Sequence, residues 1–190
     1  MTKEAYILLQ ATIQPQSVGE LSHVLEKLLQ KEYKRIHLLM NSPGGSVRIA
    51  IAVYNFLKSL PFELFTYNLS CVDSSAILIF VAGQKRYSAR YSRFLAHPVS
   101  KEFHFDQTLK SLQQESAEMQ LDMADISSIL ADNTKLSAKQ WRQKLDAGKH
   151  ILEPETSAIG LTDGVCDLRL PQTNDFFCNI IKNIFSEDSI

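Results

Sequence analysis

The chain has 190 residues, of which 45% are hydrophobic and 22% are charged, a composition typical of one soluble globular domain. Twenty basic residues against twenty-one acidic ones leave a net charge of -1. This balance argues against a general nucleic-acid binder and against a protein held on anionic lipid. The three cysteines are too few and too widely spaced for a disulfide framework or a four-cysteine zinc site.

The sequence carries no signal for a membrane or for export. The N-terminus has no basic segment followed by a long apolar core, so it does not resemble a secretory signal. The longest apolar run, residues 76–82, is far too short to cross a membrane. Reduced cysteines and the absence of a targeting signal predict a cytoplasmic protein.

The first part of the chain alternates between strand and helix patterns. Short apolar runs at 6–13, 35–40 and 62–68 predict buried strands. Ser17 and Glu20 have the spacing of a capping box, and a helix is predicted over 18–31. A second helix is predicted between the glycine turn at 41–45 and Pro61. The resulting order predicts parallel β-α-β units, an α/β fold, and a ligand crevice at the carboxyl ends of the strands.

The second part of the chain is predicted to be more helical. After an apolar segment that starts at Ser74, residues 86–97 predict one or two short strands. A heptad seam then predicts a helix of about 25 residues, which packs either against a partner outside the domain or against the domain's own core. The seam consists of Phe105, Leu109, Leu112, Ser116, Met119, Met123, Ile126 and Leu130. Further helices are predicted at 137–146 and 153–160, and the apolar tail at 171–190 is predicted to contain a docking helix.

A glycine turn follows the second predicted strand in the segment Asn41-Ser-Pro-Gly-Gly-Ser-Val47. Adjacent glycines allow a sharp turn that presents backbone N–H groups, which suits a phosphate or a developing oxyanion. The segment lacks the Gly-Lys-Ser/Thr ending of a Walker motif. Taken by itself, it is also consistent with a plain strand-to-helix turn.

Two further positions could carry chemistry. Ser74 and Ser75 precede an apolar, helix-like segment, where a serine is either an ordinary N-cap or a nucleophile near the helix's positive end. His97 ends the run 93–98 and is either a structural hydrogen-bonding residue or a general base. No histidine or carboxylate cluster indicates a metal site.

Taken in order, four blocks resemble the proteolytic subunit of the Clp (caseinolytic) protease family, within the Clp/crotonase fold of repeated β-α-β units. The blocks are the turn at 41–47, Ser74 ahead of Ala82-Gly83, the segment 85–98 that ends on His97-Pro98, and the segment 158–163. The resemblance spans about residues 5–168. It implies a protease-like domain at 1–170, with a protruding handle helix at about 104–133 and a separate tail at 171–190.

The resemblance implies a role for each site residue. Ser74 would be the nucleophile and His97 the general base, and the N–H groups of Gly45 and Ser75 would form the oxyanion hole. The family's aspartate position falls on Lys144. Asp146 is the nearest carboxylate and is predicted to be the third member, ahead of Asp132 and Asp163. The family has a small residue where this chain has Asp73.

The family's handle interlocks two rings, so the seam at 105–130 predicts a homo-oligomeric ring that admits peptides or unfolded proteins. The few residues ahead of the first strand argue against a Clp-type ATPase partner. The predicted function is a serine peptidase of the Clp type, which needs no cofactor. The alternatives are a catalytically silent Clp-like subunit that serves assembly, and an acyl-CoA enzyme of the crotonase type.

Overall fold

The computed structural model describes residues 3–100, 108–170 and 176–181, and within these ranges it contains one eight-stranded sheet and six helices. The strands are β1 (Glu4–Gln10), β2 (Arg35–Ser42), β3 (Glu63–Asp73), β4 (Lys85–Ser88), β5 (Arg93–Ala96), β6 (Lys149–Ile151), β7 (Gly164–Val165) and β8 (Phe176–Ile181). The helices are α1 (Pro15–Gln30), α2 (Val47–Ser59), α3 (Ala76–Phe80), α4 (Leu109–Asn133), α5 (Ala138–Ala147) and α6 (Glu155–Ala158).

The sheet is parallel apart from one pair. Its order is β6-β5-β3-β2-β1-β8, with β4 paired to β3 and to β7, and only the β5–β6 pair among the described strands is antiparallel. The central strands are almost continuously buried because apolar groups cover both faces of the sheet. The predicted α/β fold is confirmed. It brings the carboxyl ends of β2 and β3 to the same edge.

The long helix α4 is divided between two environments. Its C-terminal half packs on the core through Met123, Ile126 and Leu130, which are buried. Its N-terminal half projects outward, with Leu109 73% exposed and Leu112 38% exposed. Packing against the domain's own core is therefore confirmed for the C-terminal half of the seam, and packing of the N-terminal half against an outside partner stays a prediction. Residues 101–107, where the predicted helix starts, lie outside the described residues.

Two predicted elements differ from the structure. Helix α1 begins at Pro15, three residues before the predicted start, and Ser17 lies within its first turn instead of at the N-cap. The Ser17 hydroxyl donates to the Thr12 carbonyl over 2.6 Å and accepts from the Gln14 N–H. The predicted docking helix in the tail is wrong for residues 176–181. These form strand β8, which pairs in parallel with β1. Aromatic and β-branched residues favour a strand once a free sheet edge is available.

No helix in the described ranges is long and apolar enough to cross a membrane.

Arg86 on β4 fastens the end of α4 to the body of the domain. Its guanidinium donates to the Asn133 carbonyl over 2.7 Å and to the Gly160 carbonyl over 3.0 Å. The Arg86 backbone N–H donates to the Asp163 carboxylate over 2.8 Å. The last carbonyls of a helix have no partner within the helix, so this side chain acts as a cap supplied from the sheet.

We expect Arg86→Lys to lower the free energy of unfolding by about 1.5–3 kcal/mol, because an ammonium cannot hold both carbonyls in the geometry of the guanidinium fork. The matched control is Arg90→Lys, since the Arg90 side chain is 67% exposed and lies 4.0 Å from Asp167. Its effect should stay within about 0.5 kcal/mol. Urea denaturation of both variants is the measurement, and equal effects would contradict the proposed anchor.

Candidate active site

The glycine turn at the end of β2 adopts a backbone that only glycine accommodates there. Gly44 has φ 96° and Gly45 has φ 148°. A Cβ on Gly45 would lie 2.3 Å from the Ile13 carbonyl oxygen, and one on Gly44 would lie 2.6 Å from the Ser74 Cβ. Both glycines are therefore required by close backbone approach. The turn is wedged between the segment before α1 and the end of β3.

Ser74 occupies a strained position at the junction of β3 and α3. Its φ is 56°, in the left-handed region that non-glycine residues rarely adopt. The Ser74 N–H donates to the Leu95 carbonyl over 2.8 Å, which fastens the junction to β5. The Ser75 hydroxyl donates to the Gly45 carbonyl over 3.1 Å, which fastens it to the glycine turn. Ser74 is thus held in its left-handed conformation by contacts on both sides.

Two backbone donors remain available at this junction. The Ile13 N–H holds the Gly44 carbonyl at 2.7 Å, so the trans peptide directs the Gly45 N–H to the opposite side. The Ile77 N–H holds the Ser74 carbonyl at 3.1 Å, so the Ser75 N–H points out of the first turn of α3. Within the described chain, neither N–H donates to a protein acceptor. Such a pair can receive a developing negative charge.

His97 follows β5 and is partly exposed. Its Nδ1 lies 2.8 Å from the Pro98 carbonyl oxygen, which can only accept, so Nδ1 carries the hydrogen and Nε2 keeps its lone pair. This is the tautomer that a general base requires. In the part of the chain that the structure describes, no hydrogen bond joins Ser74 to His97. The two residues directly follow the neighbouring strands β3 and β5, which pair in parallel.

The predicted third member, Asp146, is engaged elsewhere. Its two carboxylate oxygens lie 3.2 and 3.3 Å from the Arg142 Nε one turn earlier on α5, and its side chain is 54% exposed. Lys144, at the family's aspartate position, forms an ion pair with Glu155. The structure therefore places the Pro98 carbonyl, and neither of these side chains, against the His97 Nδ1.

Asp73 is the carboxylate nearest to Ser74 along the chain, and it is half-buried. Burial raises the pKa of the Asp73 carboxyl. A hydrogen bond with the Leu95 backbone and electrostatic interactions with three basic neighbours, namely His150, Arg93 and His97, lower the pKa of Asp73 and oppose part of this rise. The Asp73 Oδ1 is buried and has no hydrogen-bond partner among the described residues.

A cleft of about 540 Å³ opens beside the glycine turn. It runs from Gly45 along the first turn of α2, past Val99 beyond the histidine, to Leu121 of α4. Arg48 closes one wall by pairing with Asp122 at 2.6 Å and with Asp125 at 2.9 Å. The cleft is thus bounded by the glycine turn, by residues 99–100 and by the long helix, and the described residues that line it include neither Ser74 nor His97.

The sequence did not predict two parts of the site: the backbone groups, and the contacts between segments that lie far apart in the sequence. The Ile13 N–H and the Pro98 carbonyl have no sequence signal, because any residue supplies them. The pairing of Arg48 with α4 could not be foreseen before the fold was known. In the described ranges, no group of three or more histidine, cysteine or acidic side chains is arranged to hold a metal ion.

The sequence is similar to curated bacterial proteins across most of its length. It is 28% identical over 132 residues to the ATP-dependent Clp protease proteolytic subunit 4 of Rhodococcus jostii, covering 68% of this chain and 67% of the relative. It is 27% identical to the subunit 2 of Chlamydia trachomatis serovar D, covering 82% and 77%. It is 23% identical to the subunit 1 of Corynebacterium jeikeium, covering 87% and 88%.

The fold is similar to that of a ClpP1 mutant from Listeria monocytogenes, with a TM-score of 0.78 and 20% sequence identity over 86% of this chain and 92% of that one. The family model described as Clp protease matches residues 1–169. The sequence blocks, the fold and this match agree, and the chain belongs to the Clp protease family as a divergent proteolytic subunit.

Proposed function

We propose that this protein is a serine-type peptidase that cleaves peptides or unfolded proteins, with Ser74 as nucleophile and His97 as general base. The observation that carries the proposal is the left-handed backbone at Ser74, wedged against Gly44 beside two unengaged N–H donors. Strain of this kind persists only where surrounding contacts enforce it, and it is concentrated at functional sites. A structural N-cap would not require it.

The proposed roles correspond to the chemistry of a serine peptidase. The Ser74 Oγ attacks a peptide carbonyl carbon while the His97 Nε2 takes the hydroxyl proton. The carbonyl oxygen becomes an oxyanion that accepts hydrogen bonds from the Gly45 and Ser75 N–H groups. When the intermediate collapses, the leaving amine takes the proton from His97 and the acyl group stays on Ser74. Water, deprotonated by the His97 Nε2, then attacks the acyl carbon, the ester bond to Ser74 breaks to release the acid, and the Ser74 Oγ takes back the proton from His97.

Each backbone donor is worth about 3 kcal/mol of barrier, on the scale of oxyanion holes in other serine peptidases. The Pro98 carbonyl supplies the orientation of His97, which in a full triad comes from a carboxylate. A neutral carbonyl orients the ring but adds little charge stabilisation to the imidazolium. The separation between Ser74 and His97 would close on substrate binding, because catalytic hydrogen bonds often tighten only in the complex.

The second candidate is a catalytically silent subunit that serves assembly. It is favoured by the absence, among the described residues, of a hydrogen bond between Ser74 and His97, and by the engagement of Asp146 with Arg142. In that case the glycine turn and strained serine would be retained for packing alone. The proteolysis experiment below separates the two candidates.

We also propose a homo-oligomeric ring assembled through α4. The N-terminal half of α4 exposes the seam residues Leu109 and Leu112, which are 73% and 38% exposed. An apolar seam on a projecting helix gains most from burial against the same seam of a second copy. A ring would enclose the clefts and restrict substrates to extended chains.

We expect Ser74→Ala to lower hydrolysis of an unfolded protein substrate at least about a thousandfold, because no other group can form the acyl intermediate. The control is Ser70→Ala, which removes an exposed hydroxyl four residues earlier on the same strand. Its rate should match that of the parent. If the parent, assembled and folded, hydrolyses no substrate above the level of Ser74→Ala, the silent-subunit candidate replaces this one.

We expect Gly44→Ala to lower kcat at least about a hundredfold, because a Cβ at 2.6 Å from the Ser74 Cβ must displace the nucleophile. The control is Gly19→Ala in α1, where no atom lies within 4 Å of the added Cβ. That change should leave kcat unaltered and raise stability by about 0.5–1 kcal/mol. Steady-state kinetics and thermal melting test both variants. Equal kcat values for Gly44→Ala and the parent would contradict the steric role of Gly44 against Ser74.

We expect Leu112→Lys to shift the protein to smaller species in sedimentation velocity, because a charge on the seam must be desolvated in the assembly. Gln114→Lys, two residues along and off the seam, is the matched control and should leave the distribution unchanged. An unaltered distribution for Leu112→Lys would place the assembly surface elsewhere.

A further inference from the structure

Asp73 has an energetic cost that its structural contacts do not explain. Its Oδ1 is buried and has no hydrogen-bond partner within the described chain. Asp73 is the last residue of β3 and directly precedes the strained Ser74. Leaving a buried carboxylate oxygen without a hydrogen bond is unfavourable, and aspartate has no advantage for strand formation. A neutral side chain of the same size would fit the position at lower cost. The charge at Asp73 therefore needs a reason outside packing.

Three groups near Asp73 can carry positive charge. In the sheet, Asp73 pairs with Leu95 on β5, and Leu95 pairs with His150 on β6, so the three lie in one cross-strand row. His97 follows two residues after Leu95. The charge of Asp73 interacts electrostatically with His150, His97 and Arg93.

The other titratable groups near Asp73 are few in the described ranges. Cys71 lies two residues earlier on β3, and the charge of Asp73 together with burial raises the pKa of its thiol. Lys149 pairs with Ala96, one position from the row, and is exposed. His97 is the one basic group among these neighbours that must also gain a proton during the proposed reaction.

We propose that Asp73 is a positioning residue that supplies, from the position before the nucleophile, the negative charge which stabilises His97 when it takes the Ser74 proton. The inference rests on the proposed peptidase function and deepens it. The Pro98 carbonyl fixes the ring through Nδ1, and Asp73 provides the charge that this neutral carbonyl lacks. Orientation and charge, which one carboxylate supplies in a triad, are divided here between two groups.

The sequence offers a matched pair of variants, Asp73→Asn and Asp146→Asn. Asp73→Asn should lower kcat/KM at least about tenfold and move the acidic limb of its pH profile to lower pH by about half a unit or more, because loss of a nearby anion disfavours protonated histidine. Asp146→Asn should change neither quantity, since Asp146 is engaged with Arg142. The reverse result, an effect from Asp146→Asn alone, overturns the proposal.

Thermal stability should move in the opposite direction to activity. Burial raises the pKa of Asp73 in the folded protein, so above pH about 4 the unfolded chain releases this proton first and stability falls as pH rises. Asparagine cannot ionise. Asp73→Asn should therefore melt a few degrees higher than the parent at pH 7 and equal it at pH 4. A lower melting temperature at pH 7 would show that Asp73 is structural and would overturn the proposal.

A measurement without substrate keeps this proposal separate from the peptidase proposal. The ring-proton titration of His97 is followed by NMR with histidine-labelled protein, using His97→Gln to assign the signal. The titration midpoint should fall by about half a unit in Asp73→Asn and stay constant in Asp146→Asn. An unmoved midpoint in Asp73→Asn overturns the action of Asp73 on His97. An inactive parent with a moved midpoint would refute the peptidase function alone.

Discussion

The site depends on one steric constraint, the contact between the left-handed Ser74 and the glycine turn. Parallel strands β2 and β3 end at the same edge, and the chain reverses sharply after each of them. The two reversals fit together only because Gly44 has no side chain and Ser74 accepts a φ of 56°. The other parts of the site lie directly beside this contact. They are the N–H groups of Gly45 and Ser75, the hydrogen bond from Ser74 to β5, and the cleft that starts at Gly45.

The family pattern is preserved unevenly around this constraint. The fold is shared with a solved ClpP1 structure, and in this chain two backbone N–H groups at the glycine turn and the Ser74 junction donate to no acceptor among the described residues. The side chains differ from the pattern that the resemblance implied, since a carbonyl faces the His97 Nδ1, Asp146 pairs with Arg142, and the acidic Asp73 precedes Ser74. Backbone geometry is fixed by the fold, whereas the orientation and charge of one imidazole can be supplied by several groups. If the proposed function holds, this explains how a chain 23–28% identical to its relatives could keep a reaction centre.

The sequence predicted the alternation of strands and helices in the first part of the chain and the α/β fold, because apolar periodicity and glycine turns are local signals. It also predicted the seam of α4, though not that only its C-terminal half would be buried. The strand at 176–181 could not be predicted, since paired phenylalanines and isoleucines fit either periodicity and the free edge of β1 exists only in the folded chain. The strain at Ser74 had no sequence signal, because serine before an apolar segment is also an ordinary N-cap.

The central claim is that the strained Ser74 is an activated nucleophile, and covalent labelling tests it most directly. The assembled protein is treated with a fluorophosphonate probe, and the modified residue is mapped by mass spectrometry. The account predicts a single adduct on the Ser74 Oγ, abolished in denatured protein. An adduct on another serine, or none in protein shown to be folded and assembled, would contradict it.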